Sequence, residues 1–334
     1  MQTITLAQGS GGASTNELIQ NVFLKHLATS FVSYGEDAGV FHANGGLALS
    51  TDSFVITPIF FPGGDIGKLS VCGSSNDVAM MGAKPEFISL GFILEEGFSM
   101  QELESIVCSI ATELSNTNIK ILSADTKVVP KGSADKIFIN TTCIGHIIKP
   151  NISSKALRPN DVIILSAGIG AHGASIFAIR EGIELESHLS SDCAQLYPML
   201  EPLFLSNLNL HTLRDATRGG LAAVLNEWAQ DAQVCIEIDE AKILVDERVW
   251  GVCEILGLEA TQLANEGVCV LGVARENADE VCALLRAHSL GAQACVIGEV
   301  LDSGQVGARV VLKNQWGGKR FMEYPQGELL PRIC

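Results

Sequence analysis

Acidic side chains that suit a divalent cation recur through the first half of the chain. They are Asp37 in GEDAGV, Asp52 in STDSF, Asp77 beside Asn76 in SSNDVAMMGAKP, and Asp125 in SADTKVV, where Lys127 follows. Each aspartate alone is typical of a turn or a helix cap. Magnesium bound to a triphosphate takes one or two carboxylates per ion, however, and a lysine suits a phosphate. The set therefore predicts a magnesium–triphosphate site with metal ligands Asp37, Asp52, Asp77 and Asp125, three of which (Asp37, Asp52 and Asp125) are expected at strand ends or turns.

Three further motifs contain the residue types of a phosphate site. The leader GSGG, which comprises Gly9, Ser10, Gly11 and Gly12, can cover phosphates with backbone N–H groups, although alone it is only a flexible leader. RDATRGG places Asp215, Thr217 and Arg218 ahead of a predicted helix, and NEG places Glu266 ahead of the strand VCVLGVA. From spacing alone, these two motifs indicate a helix N-cap and an Asn-Glu-Gly turn.

The last residue of the sequence is a cysteine, Cys334, which follows a proline and an arginine in LLPRIC. A thiol on a frayed chain end is easily oxidised, so this position is unusual. The ten cysteines are scattered along the chain and include no C-x-x-C pair. Without a secretory signal, that pattern indicates reduced and mostly buried thiols, and neither disulfides nor a zinc site.

A G-x-G-x-x-G pattern, typical of dinucleotide binding, follows a predicted strand and precedes a predicted helix. Its members are Gly168, Gly170 and Gly173. Glu184 or Glu186 stands near the spacing of a ribose-binding acid, but EGIELESHLSSD has the composition of a loop and not of a second parallel strand. We therefore interpret the glycines as a tight strand-to-helix turn.

Alternating apolar strands and amphipathic helices predict a mixed α/β fold that positions these motifs. Residues 46–148 are predicted as strand, helix, strand, helix, strand and strand, and the second of these helices is expected to begin at a serine cap, Ser99. The polar segment KPNISSKALRPND carries two prolines and indicates a boundary, and the sequence is irregular beyond Lys319. We expect two-layered α/β domains. The predicted divisions are an N-terminal domain over residues 1–150, a C-terminal domain over residues 151–320, and a flexible tail over residues 321–334.

Composition excludes several classes of function. The 334 residues exceed what one hydrophobic core supports, which favours two domains. The net charge of -16 repels a polyphosphate backbone, so nucleic acid is not an expected partner. No apolar run is long enough to cross a bilayer, and MQTITLAQGSGG lacks the features of a secretory signal. We expect a cytoplasmic protein with no membrane partner.

Taken in order, GSGG, EDAGV, TDSF, NDVAMMGA, DTKVV, DATRGG, NEG and the terminal PRIC resemble the motifs of the hydrogenase maturation factor family HypE over essentially the full length. That family belongs to the superfamily of aminoimidazole ribonucleotide (AIR) synthetase and selenophosphate synthetase, ATP-using enzymes without a Walker P-loop. PRIC is the most specific of these motifs. The resemblance implies a two-domain AIR synthetase-like fold, a homodimer whose joined N-terminal sheets form a barrel, and ATP in the cleft between domains.

The resemblance also implies that Cys334 carries the substrate. In the family, HypF loads a carbamoyl group from carbamoyl phosphate onto the terminal thiol, and HypE dehydrates the thiocarboxamide to a thiocyanate with ATP and Mg²⁺. The cyanide then passes to iron on the HypC–HypD complex during maturation of [NiFe]-hydrogenase. Nine residue steps from Pro325 to Cys334 span roughly 30 Å, so we expect an inward and an outward state of the tail.

Dehydration explains the remaining polar residues, because an amide oxygen leaves readily only as a phosphate ester. Glu266 is the expected base with Lys127 as its partner, and Lys127 also offsets charge on the moving phosphoryl group. Asn76 is expected to orient the amide or a metal-bound water, and Asp215 and Arg218 to contact the nucleotide. Two alternatives stay open: a small-molecule kinase or synthetase of the same superfamily, in which Cys334 is incidental, and a dimeric scaffold that presents its tail.

Overall fold

A computed structural model of the chain describes residues 3–9, 13–31, 41, 43–185, 187–325 and 332–334. Four predicted ligands, Ser10, Gly11, Gly12 and Asp37, lie outside the described residues. Residues 326–331 of the tail lie outside them too. Gly9 is the last residue of a short 3₁₀ helix, Leu6–Gly9.

The α-helices of the described chain are α1 (Ala13–Leu18), α2 (Lys25–Leu27), α3 (Ile66–Met80), α4 (Met100–Thr117), α5 (Ala171–Arg180), α6 (Tyr197–Phe204), α7 (Gly220–Ala232), α8 (Glu247–Leu256) and α9 (Ala278–Arg286). A π-helical segment, Ile19–Leu24, joins α1 to α2. The other short 3₁₀ helices are Ala28–Ser30, Ser154–Ala156, Glu240–Lys242, Ala260–Gln262, Arg275–Asn277 and Ser289–Gly291. Among these described helices, none combines the length and apolar character needed to cross a membrane.

The strands are β1 (Leu47–Phe54), β2 (Phe60–Phe61), β3 (Gly64–Asp65), β4 (Ala83–Glu95), β5 (Lys120–Val129), β6 (Ile137–Ile147), β7 (Asp161–Leu165), β8 (Leu210–Asp215), β9 (Val234–Asp239), β10 (Cys269–Ala274), β11 (Cys295–Asp302), β12 (Val310–Lys313) and β13 (Lys319–Phe321). Apart from the small β2–β3 pair, they form a four-stranded sheet in the first half of the chain and a seven-stranded sheet in the second. The predicted mixed α/β class is confirmed. The proposed boundary at residue 150 falls between β6 and β7, and we keep the domain limits as a proposal.

The four-stranded sheet has the order β1-β6-β4-β5, and only β4 and β5 run parallel. Side chains alternate between its two faces, as the period of two requires. Leu90, Phe92 and Leu94 of β4 are buried in the same core as the apolar sides of α3 and α4. Ile93 points to the opposite face of the sheet and is exposed. Helix α4 begins at Ser99, whose side chain accepts a hydrogen bond from the Glu102 N–H, so the predicted serine cap is confirmed.

The seven-stranded sheet has the order β13-β12-β9-β11-β7-β10-β8 and is covered on both faces. Ile164 of β7 packs with α6 and α9, while its neighbour Ile163 packs with α7. The expectation of two layers is therefore wrong for this half, which has three. The sequences of its central strands β7 and β10 are almost entirely apolar, because side chains on both faces of these strands are buried.

The glycine turn of G-x-G-x-x-G is confirmed. Gly170 adopts φ +88° immediately before α5, a conformation that L side chains avoid, and a side chain there would meet Val249. Strand β7 pairs antiparallel with both β10 and β11, so the parallel β-α-β unit of a dinucleotide site is missing from it.

Several local predictions need correction. Asp52 and Asp125 lie inside β1 and β5 and not at strand ends or turns. The residues beyond Lys319 are not wholly irregular, because Lys319–Phe321 forms β13 against β12. Asp215 is the last residue of β8 and does not cap the following helix, whose N-cap is Gly219.

Candidate active site

Three of the acidic side chains meet where the two sheets approach each other. Ser50 and Asp52 share the face of β1 that looks toward α3, and the Ser50 hydroxyl donates a 2.6 Å hydrogen bond to Asp77 of α3. Asp215 enters from the end of β8 and is buried. The Asp77 and Asp215 side chains both line a cavity of about 380 Å³ at this junction. The structure therefore assembles Asp52, Asp77 and Asp215 from opposite halves of the chain.

The surroundings of these three carboxylates disfavour their ionised forms. Burial raises the pKa of Asp52, and it raises the pKa of Asp77, with the Asp52 charge adding to the effect on Asp77. Burial first, and then the Asp77 charge, raises the pKa of Asp215 to about 8. Arg218 lowers the pKa of Asp52 and Asp77 from the opposite direction. The site is short of positive charge, and Arg218 is placed to meet anions bound there.

The chemistry of these residues fits a hard divalent cation. One carboxylate oxygen of Asp215, Oδ2, is buried without a hydrogen-bond partner among the described residues. No three ligating side chains in the described ranges converge on one point as a complete metal cage. Magnesium commonly uses one or two carboxylates together with phosphate oxygens, which matches an incomplete protein site of this kind.

Glu266 lies in the loop ahead of β10, close to this cluster and almost fully buried. Burial, followed by the charges of Cys193 and Asp215, raises its pKa well above the ordinary value of 4.5. Its Oε1 atom has no hydrogen-bond partner among the described residues. A carboxylate with a raised pKa is a stronger base once it has lost its proton, so Glu266 suits proton abstraction.

A dense set of hydrogen bonds fixes the loop that carries Glu266. The Asn265 Oδ1 atom accepts a 2.6 Å bond from the Gly170 N–H, and its Nδ2 group donates to the Ala216 carbonyl at 2.8 Å. The Asp192 carboxylate accepts 3.2 Å bonds from the N–H groups of Glu266 and Gly267. Gly267 is required here, since a Cβ atom would lie 1.9 Å from the Asp192 carbonyl oxygen.

Asn76 bridges the two halves of the chain instead of pointing into open space. Its Oδ1 atom accepts a 2.8 Å hydrogen bond from the Leu196 N–H. Its Nδ2 group donates to the Ala194 carbonyl at 3.0 Å and to the Glu266 carbonyl at 3.5 Å. These contacts give Asn76 a structural task beside Glu266. Its predicted role in orienting the amide stays a prediction.

Asp125 and Lys127 are placed apart from the other predicted residues. They form a 2.7 Å ion pair on the exposed edge strand β5, where the lysine lowers the pKa of Asp125. The strand register puts Asp52 opposite Thr141 of β6, and so on the buried face of the sheet. Asp125 is opposite Gly91, one residue out of phase, and therefore lies on the other face three strands away, about 14 Å along the sheet. A single chain does not bring Lys127 to Glu266.

The last three residues are docked inward. The Val55 N–H donates to the Cys334 carbonyl at 3.0 Å, and the Thr57 N–H donates to the Arg332 carbonyl at 3.3 Å. The Arg332 side chain donates to the Val55 carbonyl at 2.7 Å, so the tail lies alongside the segment that follows β1. Ile333 is buried in the core of the first sheet.

Docking places the Cys334 thiol among the carboxylates. Burial, and next the charge of Glu266, raises the pKa of this thiol to about 12, with Asp52 and Asp215 contributing. Arg218 acts in the opposite direction. Cys334, Glu266 and the nucleotide candidates Asp52, Asp215 and Arg218 thus share one electrostatic environment.

Three residues that build this dock were missed by the analysis of sequence motifs. His172 and Arg180 of α5 donate hydrogen bonds to the carbonyls of Ile333 and Arg332 respectively. Asp192 holds the Glu266 loop, as described above. His172 stands in GAHGAS, two residues after the glycine that precedes α5, and this position was its only signal.

Comparisons with known proteins agree with this architecture. Residues 35–147 match the family model of AIR synthase related proteins, N-terminal domain. Residues 158–311 match the corresponding C-terminal domain. The expected two-domain AIR synthetase-like fold is confirmed.

Individual relatives match over nearly their whole length. Carbamoyl dehydratase HypE of Escherichia coli strain K12 is 44% identical over 342 residues, which cover 100% of both chains. A crystal structure of hydrogenase maturation protein HypE in complex with ATP superposes with a TM-score of 0.94 at 42% identity, covering 99% of this chain and 100% of that one. A HypE–HypF complex contains a chain that superposes with a TM-score of 0.81 at 40% identity, covering 94% of this chain and 100% of that one.

Proposed function

The chain belongs to the HypE family of AIR synthase related proteins, and from this premise we propose that it is an ATP-dependent carbamoyl dehydratase acting on its own Cys334. The substrate is a carbamoyl group carried on the Cys334 sulfur, and the product is the corresponding thiocyanate. The observation that supports this most directly is the docked position of Cys334 beside Glu266. A solved relative binds ATP, which supports ATP as the co-substrate.

The atoms of the reaction balance with one ATP. The carbamoyl oxygen attacks the γ-phosphorus, the bond from that phosphorus to ADP breaks, and the oxygen becomes a phosphate ester. Loss of one N–H proton and then of phosphate, with the second N–H proton, leaves a carbon–nitrogen triple bond on sulfur. Glu266 is the base for a nitrogen proton, because it is buried, its charge acts on the Cys334 thiol, and its raised pKa favours proton uptake.

Asp52, Asp77 and Asp215 are the residues of the described chain that would hold Mg²⁺ with the nucleotide phosphates. When bound, Mg²⁺ neutralises charge that develops on the transferred phosphoryl group. Arg218, which is exposed near these carboxylates, binds phosphate oxygens from the side. Buried carboxylates are costly, and a scaffold that only presents its tail does not need them, so they support an enzyme over a scaffold.

We infer a homodimer from the open face of the four-stranded sheet. Leu49 is 64% exposed and Ile93 is 43% exposed on the same face as Asp125 and Lys127. Exposed apolar side chains around charged ones are typical of an interface. Packing this face against a second copy of the chain would bury Leu49 and Ile93. In such a dimer Lys127 of one chain can approach Glu266 of the other.

HypF is the proposed carbamoyl donor, since a solved relative forms a HypE–HypF complex. The HypC–HypD complex is the proposed cyanide acceptor. Both require the tail to leave the dock, so the inward position described here is one of two states. The hydrogen bonds that dock residues 332–334 are non-covalent, so a partner that binds the tail more tightly shifts it to the outward state.

Mass spectrometry of the C-terminal peptide tests the proposal. The chain is incubated with HypF, carbamoyl phosphate and Mg²⁺–ATP, and the peptide is examined for a carbamoyl adduct that then loses one water. Replacing ATP by a non-hydrolysable analogue is expected to stop the sequence at the adduct. A phosphorylated small molecule with an unmodified Cys334 would instead support a kinase of the same superfamily.

A further inference from the structure

One buried histidine contacts the tail at the residue before Cys334. His172 is fully buried in the first turn of α5, and its Nε2 atom lies 2.9 Å from the Ile333 carbonyl oxygen. The rings of Phe61 and His172 are nearly perpendicular, with 5.5 Å between their centroids. His172 is therefore in place to bind the tail through the main chain, one residue from the reacting sulfur.

The hydrogen bonds of the ring fix its tautomer. A carbonyl oxygen only accepts, so Nε2 must carry the proton that is donated to Ile333. The Nδ1 atom is then an acceptor, and the Ser191 hydroxyl, 2.7 Å away, donates to it. The Ser191 oxygen accepts in turn from the Cys193 N–H at 3.0 Å. With the tail docked, both ring nitrogens therefore have a hydrogen-bond partner, and the partner of Nε2 is the tail.

The direction of the tail carbonyls explains why a donor is needed at this point. The carbonyls of Arg332 and Cys334 face the segment after β1, and Thr57 and Val55 supply their N–H donors. The Ile333 carbonyl points the other way, toward α5, where His172 is its partner. A buried carbonyl without a donor carries its full desolvation cost, so docking without His172 is penalised.

The same short segment also holds the catalytic loop. Ser191 orients His172, while the adjacent Asp192 accepts from the N–H groups of Glu266 and Gly267. Ser191 thus holds the His172 ring that donates to the tail, and the adjacent Asp192 holds the backbone of Glu266. The segment thus links the histidine that contacts the tail to the loop that carries Glu266.

We propose that His172 is a positioning residue that docks the C-terminal tail, donating from Nε2 to the Ile333 carbonyl in a tautomer held by Ser191. It acts on the reaction through the placement of Cys334 and does not touch the reacting atoms. The effect of this contact on the reaction rests on the proposed function. The dock itself is a property of the free chain and is testable without partners or nucleotide.

The test is the rate at which iodoacetamide alkylates Cys334 in the full-length chain at pH 8, followed on the C-terminal peptide by mass spectrometry. The tail is protected while docked. We expect His172→Phe, which keeps a ring but removes both nitrogens, to raise this rate about 10-fold, since a lost buried hydrogen bond shifts docking by that order. His26→Phe is the matched control, because His26 bonds Glu104 and Cys108 away from the tail, and its rate should equal wild type.

Two conservative variants separate positioning from packing. His172→Gln extends an amide N–H to the place of Nε2 and should stay within about 3-fold of wild type, whereas His172→Asn reaches only the place of Nδ1 and should resemble His172→Phe. This contrast also decides the matter if the phenylalanine variant does not fold. Equal rates for the Gln and Asn variants, or a wild-type rate in a folded His172→Phe, would overturn the proposal. Because the assay forms no nitrile, either result leaves the proposed reaction standing, and failure of that reaction leaves the dock intact.

Discussion

The docked thiol should ionise far less readily than a thiol in solution. Burial and the charge of Glu266 raise the pKa of Cys334 from an ordinary 9.0 to about 12. That difference corresponds to about 4 kcal/mol between the docked thiol and the docked thiolate. Since the docked pKa is the higher one, docking is fully favoured below pH 9 and is lost as the pH rises from 9 toward about 12, by up to tenfold per pH unit.

Alkylation as a function of pH measures this effect, because iodoacetamide reacts with thiolate. A synthetic peptide of the last ten residues, with the ordinary pKa of a thiol, should reach half of its maximal rate near pH 9 and level off about one to two pH units higher. In the intact chain the rate at Cys334 should still be rising at the pH where the peptide has levelled off, because thiolate forms only as the tail leaves the dock. Circular dichroism at each pH confirms that the fold persists over the range used.

Glu266→Gln gives the matched variant, since it removes the largest charge acting on the thiol and preserves the shape of the side chain. Its alkylation profile should lie between those of wild type and the peptide. If the intact chain and the peptide level off at the same pH, the pocket does not oppose the thiolate, and the electrostatic account of the dock is wrong.

Three further results are expected. Cys334→Ala should abolish nitrile formation while calorimetry shows unchanged Mg²⁺–ATP binding; a lost affinity would contradict a carrier role. Asp215→Asn should stabilise the metal-free chain more at pH 8 than at pH 5. The reason is that the raised pKa of Asp215 makes the wild type lose stability as the pH rises from 3.8 to about 8, by at most about 1.4 kcal/mol per pH unit. Urea unfolding measures the difference in stability between variant and wild type, and a difference that does not change with pH would refute this. Mixing inactive Lys127→Ala and Glu266→Gln chains should restore about a quarter of wild-type activity if each site combines two chains, as random pairing makes half the dimers mixed with one intact site each; no recovery would place both residues in one chain.

Sequence patterns were sufficient where the chemistry is local. The acidic motifs around Asp52 and Asp77 pointed to a cation and phosphate site, and the structure does gather these two residues with Asp215. The serine cap of α4 and the glycine turn before α5 were predicted because each depends on a few adjacent residues. Such features need no knowledge of how distant strands pair.

Long-range features were out of reach for a physical reason. The alternation of β5 shows that Asp125 and Lys127 share a face, but their placement relative to Asp52 depends on the register through β6 and β4. A one-residue change in any pairing would reverse the result. The contact of His172 with Ile333 joins residues that are far apart in sequence, and neither has a local pattern that indicates the other.

The buried cysteines acquire a meaning from the product that the chain is proposed to carry. An organic thiocyanate is attacked by thiolate to give a disulfide and free cyanide, which would both waste the product and cross-link the enzyme. Seven of the ten cysteines are buried, and Cys193 and Cys72 belong to the same apolar cluster against which Cys334 packs. A hydrogen bond with Cys72, and then burial, raises the pKa of Cys193 well above 9.0, so this thiol stays protonated. The interior is thus filled with sulfur atoms that do not react as thiolates. The proposed thiocyanate is therefore protected from thiol attack until its cyanide passes to the proposed iron acceptor.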